Sequence, residues 1–401
     1  MSNNFLKPLV RQIIFTEEFC QPENLYPFTL TRQMQDIRVG ILTIREKWEN
    51  YLELPSFDRN ENDYKDLRRA VHVHEAVEEG PCLLIQGNVL PTPKLVKAAK
   101  RLKNGEFISL DGRGGIIFRV SREEIIDTHK IAVTREVPFR EEVHSIHFPW
   151  DITRLNDWAI RQDFELLTKG KKSAKLSKSN KVIGKHPVFL ETGAVAEHAI
   201  FNTTKGPIYL GRGSEVMEGS LIRGPFALGE GAVVKMGAKI YPATSIGPYS
   251  IVAGEIKNAV IFGYSNKAHD GYLGDAVIGE WCNMGAGTTN SNMKNNAGIV
   301  RIWTRKGLVE AGNKCGVMMG DYSRTAINTS INTGTVIGVS CNVFGSGLTP
   351  KYIPDFSWGS EGIARYELEK AYHDAEGWKQ LKGHTLSDDE KTILQYIFEH
   401  F

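Results

Sequence analysis

Residues 267–287 read KAHDGYLGDAVIGEWCNMGAG, a stretch in which one histidine, His269, stands among glycines and short apolar residues. Imidazole has an unperturbed pKa of about 6.5 and exchanges a proton near neutral pH, so His269 has the chemistry of a general base. Gly285-Ala286-Gly287 is a bend whose backbone N–H groups can face an oxyanion with no side chain in the way. Lys257 and Lys239 can hold a phosphate as point charges. A base beside oxyanion donors is the equipment of acyl transfer. Each residue also has a plainer reading: His269 as a surface residue on a turn, the lysines as solvated charge, Asn283 and Asn292 as turn formers. The framework that positions them has to decide.

That framework is legible as a period of six. Leu210, Val216, Ile222, Leu228, Val234, Ile240, Ile246 and Val252 are aliphatic and each six apart. Four places after the first seven stand Ser214, Ser220, Phe226, Ala232, Ala238, Thr244 and Ser250, nearly all small. Neither a helix (3.6) nor an amphipathic strand (2) repeats this way, whereas the hexapeptide unit of a left-handed parallel β-helix does. The register then slips to Val260, Asn266, Tyr272, Ile278 and Met284, imperfectly at Asn266. It resumes at Met319, Thr325, Ile331, Ile337 and Val343. A solenoid departs from its repeat where it does something, and the break from about 253 to 318 contains His269.

Around this array the chain has three other textures. Residues 1–165 mix apolar runs (Ile13-Ile14-Phe15, Cys82 to Ile85, Gly115 to Phe118) with a helix over Pro93 to Leu102, as a small α/β domain does. A lysine-rich stretch, 166–186, reads as a linker, with a phosphate patch as the sharper alternative. The solenoid is expected over 187–350. Residues 351–401 return to helix, with Ser387 and Glu390 as a capping box, and are expected to cap the solenoid and cover its open edge. His72 with His74, and His144 with His147, lack a third ligand nearby, and GRGG (112–115) reads as a hairpin turn.

The bulk numbers set limits. A net charge of +2 argues against a chain built to grip nucleic acid. Five cysteines without a C-x-x-C pair suit reduced thiols, and no apolar run is long enough for a signal peptide or a bilayer span. A cytoplasmic protein without membrane or nucleic-acid partners is the expectation.

The run AHDGYLGDAVIGEWCNMGAGTTNSN (268–292) resembles the acetyltransferase half of the bacterial bifunctional N-acetylglucosamine-1-phosphate uridylyltransferase / glucosamine-1-phosphate acetyltransferase family. That family carries A-G-H-x-x-Y-L-G-D-A-x-I-G, then N-x-G-A-G-T and N-Y-D. Here His269, Tyr272 to Ala276, Ile278-Gly279, Asn283, Gly285 to Thr288 and Asn292 match, while Ala268 and Met293 replace a glycine and a tyrosine. The resemblance implies His269 as general base and Lys257, Tyr272, Asn283 and Asn292 around the sugar phosphate. It also implies Gly285, Ala286, Gly287 and Gly320 at acetyl-coenzyme A, and a homotrimer.

The first domain resembles sugar nucleotidyltransferases more distantly. Leu25-x-Pro27-x-Thr29 is similar to the family's L-x-P-x-T, but Glu17 and Glu18 stand where its glycine-rich phosphate loop would be. The implied positive charge falls to Arg32 and Lys47, and the implied Mg²⁺ ligands to Asn88 (in Gly87-Asn88) and Asp151. The resemblance as a whole implies acetylation of an amino-sugar 1-phosphate, glucosamine-1-phosphate foremost, followed by nucleotidyl transfer from UTP or another nucleoside triphosphate. An acyltransferase with a merely sugar-nucleotide-binding first domain, and a non-catalytic solenoid, are the alternatives.

Overall fold

The computed structural model describes residues 10–59, 65, 80–110, 114–121, 124, 135–362 and 364–401. His72, His74 and the GRGG stretch before Gly114 lie outside the described residues. Two compact units emerge: Met1–Pro22, Arg32–Ile37 and Thr43–His147 form one, and Glu23–Thr31, Arg38–Leu42 and Phe148–Phe401 the other. Among the described residues, no helix is long and apolar enough to cross a membrane. All five cysteines are free thiols.

The first unit runs β1 (Gln12–Thr16), α1 (Ile44–Leu52), β2 (Ser56–Asp58), β3 (Cys82–Gln86), β4 (Val89–Leu90), α2 (Pro93–Ala99), β5 (Glu106–Ser109), β6 (Gly115–Val120), β7 (Arg135–Pro138) and β8 (His144–Ser145). Its mixed sheet has the order β2-β1-β3-β6-β5-β7. The apolar run of β1 is buried throughout, as a strand between two parallel neighbours requires. Thr43 and Glu46 cap α1 reciprocally, and the buried Trp48 indole donates to the Val89 carbonyl at 2.8 Å.

In the second unit, α3 (Pro149–Thr168) leads into a parallel β-solenoid whose coils contribute to three sheets. The first sheet runs from Val188–Leu190 to Tyr352–Ile353, the second from Val195–Ala196 to Ser357–Trp358, and the third from Lys181–Ile183 to Tyr272–Gly274. From Leu210 to Val252 the aliphatic positions of the six-residue period fill the interior. One ladder on the second sheet reads Val216, Val234, Val252, Lys267, with Met284, Thr325 and Val343 beyond.

Three sequence expectations change. After Val252 the corners shorten, so the core takes Ile256, Ile261 and Leu273, and the second-sheet ladder takes Lys267, rather than Val260, Asn266 and Tyr272. The lysine-rich stretch does not act wholly as a linker: Lys181–Ile183 is the leading strand of the third sheet, paired in parallel with Ile200–Asn202. Lysines on an exposed leading edge discourage further strand pairing, which is the physical use of charge there. Finally, α4 (Leu368–Gln380) and α5 (Asp388–His400) lie along the second sheet's flank. Lys382 reaches the Asn266 side chain at 3.0 Å, and the Tyr322 hydroxyl donates to Glu390 at 2.8 Å. The last strand of the second sheet is covered instead by Ala364–Arg365, antiparallel to Ser357–Trp358. The Ser387–Glu390 capping box forms.

The segment containing Leu25-x-Pro27-x-Thr29 belongs to this second unit. The Tyr26 hydroxyl donates to Asp355 at 3.0 Å, and Phe28 packs on Phe262. Its aromatic residues give it more to gain from the solenoid's outer wall than from a solvated loop.

Candidate active site

The third sheet is interrupted after Tyr272–Gly274. The next strand on that side, Thr289–Asn290, pairs only onward, with Ser330–Ile331. Side chains fill the missing backbone rungs. The Tyr272 N–H donates to Thr289 Oγ1 at 3.0 Å, and the Gly274 N–H donates to Asn290 Oδ1 at 2.8 Å. Asn290 Nδ2 returns a bond to the Gly274 carbonyl at 3.0 Å. Asn290 is buried in a column otherwise apolar (Phe201, Ile222, Ile240, Ile256, Leu273), and its primary amide offers an acceptor to the Gly274 N–H and a donor to the Gly274 carbonyl. The coil thus opens here while its polar backbone stays satisfied.

Tyr272 lies on the outward side of the third sheet. Tyr272 pairs with Glu255, and Lys257, two residues on and opposite Gly274, shares that outward face. The Tyr272 hydroxyl accepts from Asn292 Nδ2 at 3.1 Å, and the same amide donates to Asp275. Asp275 also accepts from Asn258 Nδ2 at 2.7 Å and occupies a left-handed corner, φ 48°. A Cβ on Gly274 would stand 2.3 Å from the Tyr272 hydroxyl oxygen, so the ring lies across a position only glycine can fill. Burial, helped by the charges of Asp275 and Glu255, raises the tyrosine to about 12, which keeps the hydroxyl protonated at neutral pH.

His269 sits on the corner between the second and third sheets, with its side chain exposed. Three consecutive carbonyls are fixed there. That of His269 accepts from Lys267 Nζ at 2.5 Å, that of Asp270 from the Gly287 N–H at 3.1 Å, and that of Gly271 from the Glu255 N–H at 3.1 Å. Asn283 lies on the outward side of the second sheet, paired with Asn266 on the strand that leads into this corner. Tyr272 and Asn292 are thus in contact, Lys257 shares the outward face of Tyr272 on the third sheet, Asn283 lies on the second, and His269 stands on the corner between these two sheets.

The Gly285-Ala286-Gly287 bend lies one coil on. Gly285 and Gly287 commit their N–H groups to Thr325 and Asp270, whereas the Ala286 N–H has no backbone partner among the described residues. Gly320 stands elsewhere, on a corner between the first and second sheets, with Pro27 and Gly338 within 3.0 Å of the Cβ it lacks. Sequence reasoning passed over Asp275 and Asn290 as site residues, although a carboxylate and an amide inside a slipped repeat were the available signal.

In the first unit, Arg32 and Lys47 are both buried. Glu17 accepts from the Met34 N–H at 2.5 Å and from Lys65 at 3.3 Å, and Arg45 holds Asp36 and Asp58 in a buried ion cluster. Asn88 accepts from the Cys20 thiol and donates to the Ile146 carbonyl. Asp151 belongs to the other unit, where it accepts from the Phe148 N–H at the start of α3. Among the described residues no three acidic, histidine or cysteine side chains gather as a metal site. Asn88 and Asp151 belong to different units, and each already accepts a hydrogen bond.

Residues 13–172 match the family model of sugar nucleotidyl transferases. The chain is 32% identical over 108 residues to the Bifunctional protein GlmU of Methanocaldococcus jannaschii, covering 25% of this chain and 26% of that protein. It is 26% identical over 270 residues to a bifunctional sugar-1-phosphate nucleotidylyltransferase/acetyltransferase of Sulfurisphaera tokodaii, covering 65% and 60%. A third relative, the Bifunctional protein GlmU of Methanococcus aeolicus, is 34% identical over 86 residues, 21% of each chain. The matches thus span less than two thirds of these relatives' lengths. Among solved structures, an Arabidopsis UDP-N-acetylglucosamine acyltransferase aligns with 53% of this chain and 78% of its own, at 16% identity and a TM-score of 0.27. A nucleotidyl transferase match at its start, with a hexapeptide solenoid after it, makes the chain similar in its order of parts to the bifunctional sugar-1-phosphate nucleotidylyltransferase/acetyltransferases.

Proposed function

We propose that the solenoid unit transfers an acetyl group from acetyl-coenzyme A to the amine of an amino-sugar 1-phosphate, with glucosamine-1-phosphate as the expected acceptor. The observation that carries this reading is the opened third sheet, whose side-chain-bridged gap lies directly after the His269 corner. As the amine nitrogen attacks the thioester carbonyl, a C–N bond forms, His269 takes the amine proton, and the C–S bond breaks as that proton passes to the departing sulfur, releasing coenzyme A as its thiol. The Ala286 N–H faces the oxyanion. Lys257 holds the phosphate, and the protonated Tyr272 hydroxyl with Asn283 and Asn292 holds the sugar.

The match of residues 13–172 supports a second step, transfer of a nucleotidyl group from UTP or a related triphosphate to the sugar 1-phosphate. The buried Glu17 in place of a phosphate loop, and the engaged Asn88, favour a second reading in which the first unit binds a sugar nucleotide without reacting. A cytoplasmic homotrimer is part of the proposal. The third sheet's outward face, with Ile183, Ile200, Leu221 and Tyr241 exposed, is the surface suited to a second copy.

The test is free-thiol release from acetyl-coenzyme A across a panel of amino-sugar phosphates, with pyrophosphate release from UTP measured in parallel. Thiol release with glucosamine-1-phosphate supports acetyl transfer, and no release with any acceptor overturns it. Pyrophosphate release decides between the two readings of the first unit.

A further inference from the structure

Lys267 occupies an inward position of the solenoid. Its backbone pairs with Val252 on the ladder that continues to Met284, and it is 2% exposed. A valine or methionine there would keep the ladder apolar, as it is in the coils on either side. Burying an ammonium carries a desolvation cost that neither would. Among the described residues, its hydrogen-bond partner is the His269 carbonyl.

The need for that bond follows from the corner. The carbonyls of Asp270 and Gly271 are taken by N–H groups of the coils on either side, through Gly287 and Glu255. The His269 carbonyl is held from within, by a side chain. Gly254 of the preceding coil makes room for it: the Cβ that glycine lacks would lie 3.0 Å from the His269 oxygen and 2.7 Å from that of Gly271. With its carbonyl drawn inward to Lys267, His269 turns its imidazole outward.

We propose that Lys267 is a positioning residue for acetyl transfer, an interior cation that locks the His269 peptide so that the imidazole keeps one orientation at the corner. This rests on the acetyltransferase reading above. It explains why a charged residue stands where the repeat calls for an aliphatic one: the cost in core burial is tolerated because the corner's geometry depends on it. Because Lys267 is sealed inside the coil, it acts on the orientation of the base and not on substrate binding.

The test compares wild type with Lys267→Met, an unbranched apolar side chain like that of Met284 in the next coil. Lys267→Thr is the second neutral variant, chosen because Thr325 already stands on the same ladder, and Lys267→Arg retains the cationic donor. In a neutral variant that unfolds at or above the wild-type temperature, kcat for thiol release should fall roughly 10- to 100-fold, the scale of a misplaced reacting group. KM for acetyl-coenzyme A and for glucosamine-1-phosphate should stay within about twofold, and Lys267→Arg should recover part of kcat. A folded neutral variant with wild-type kcat overturns the proposal. So does failure of both neutral variants to fold, which would assign Lys267 to stability alone. A wild type without thiol release would instead sink the acetyltransferase reading.

Discussion

Asn292 Nδ2 donates to the Tyr272 hydroxyl at 3.1 Å, and the same amide also donates to Asp275. One residue beyond the gap in the third sheet thereby fixes an aromatic ring before it. Losing this bond costs about 1–1.5 kcal/mol, so Asn292→Ala should raise KM for the amino-sugar phosphate roughly tenfold. KM for acetyl-coenzyme A should stay unchanged in steady-state thiol release; an equal rise for both substrates would mean that the corner as a whole had been lost.

Gly274 permits the same arrangement from below. A methyl group there would meet the Tyr272 hydroxyl at 2.3 Å and drive the ring off its place. Gly274→Ala should lower kcat/KM for the sugar phosphate roughly 10- to 100-fold, the scale of a misplaced contact. Circular dichroism should show the solenoid intact.

Lys267 gives a dependence on pH whose sign is fixed. Burial lowers the ammonium from 10.5 to about 8, against the smaller opposing pull of Asp270. Between these values the unfolded chain binds more protons than the folded one, so wild-type stability gains as pH rises through that window. Below pH 8 the full cost of the buried charge remains. Lys267→Met should therefore unfold several degrees above wild type at pH 7, with the difference shrinking towards pH 10. Thermal unfolding of both proteins across that range checks it, and a difference that grows with pH would contradict it.

Arg324 is a second buried cation. It is 7% exposed beneath the Trp378 ring, none of its three guanidinium nitrogens has a hydrogen-bond partner among the described residues, and burial lowers its pKa. Replacing such a group with an apolar one of similar length removes a desolvation cost. Arg324→Met should raise the unfolding temperature by a few degrees, as differential scanning fluorimetry would show; a fall would reveal a partner that the guanidinium serves.

The solenoid was readable because interior ladders repeat every six residues, and from Leu210 to Val252 nothing disturbs the count. Beyond Val252 the position of the break was visible but its register was not. Corners shortened by one or two residues keep side chains of similar polarity near the inward position, so Asn266 and Tyr272 stood in for Lys267 and Leu273. Asn290 escaped notice because an amide that replaces backbone rungs has no periodic signature. The lysine-rich stretch read as a linker because an exposed edge strand and a linker share the same composition. Leu25-x-Pro27-x-Thr29 read as part of a nucleotidyltransferase motif, and the packing of Tyr26 and Phe28 shows what that segment touches.

The proposed acetyl transfer at the opened corner turns on His269 as its base. Thiol release from acetyl-coenzyme A with glucosamine-1-phosphate, measured on wild type and His269→Ala under identical conditions, tests it most directly. His269→Ala should lose roughly a thousandfold in kcat, within the range of about 10²–10⁴ for a general base, with the unfolding temperature preserved. A variant that turns over at the wild-type rate would contradict it and return His269 to the surface of the solenoid.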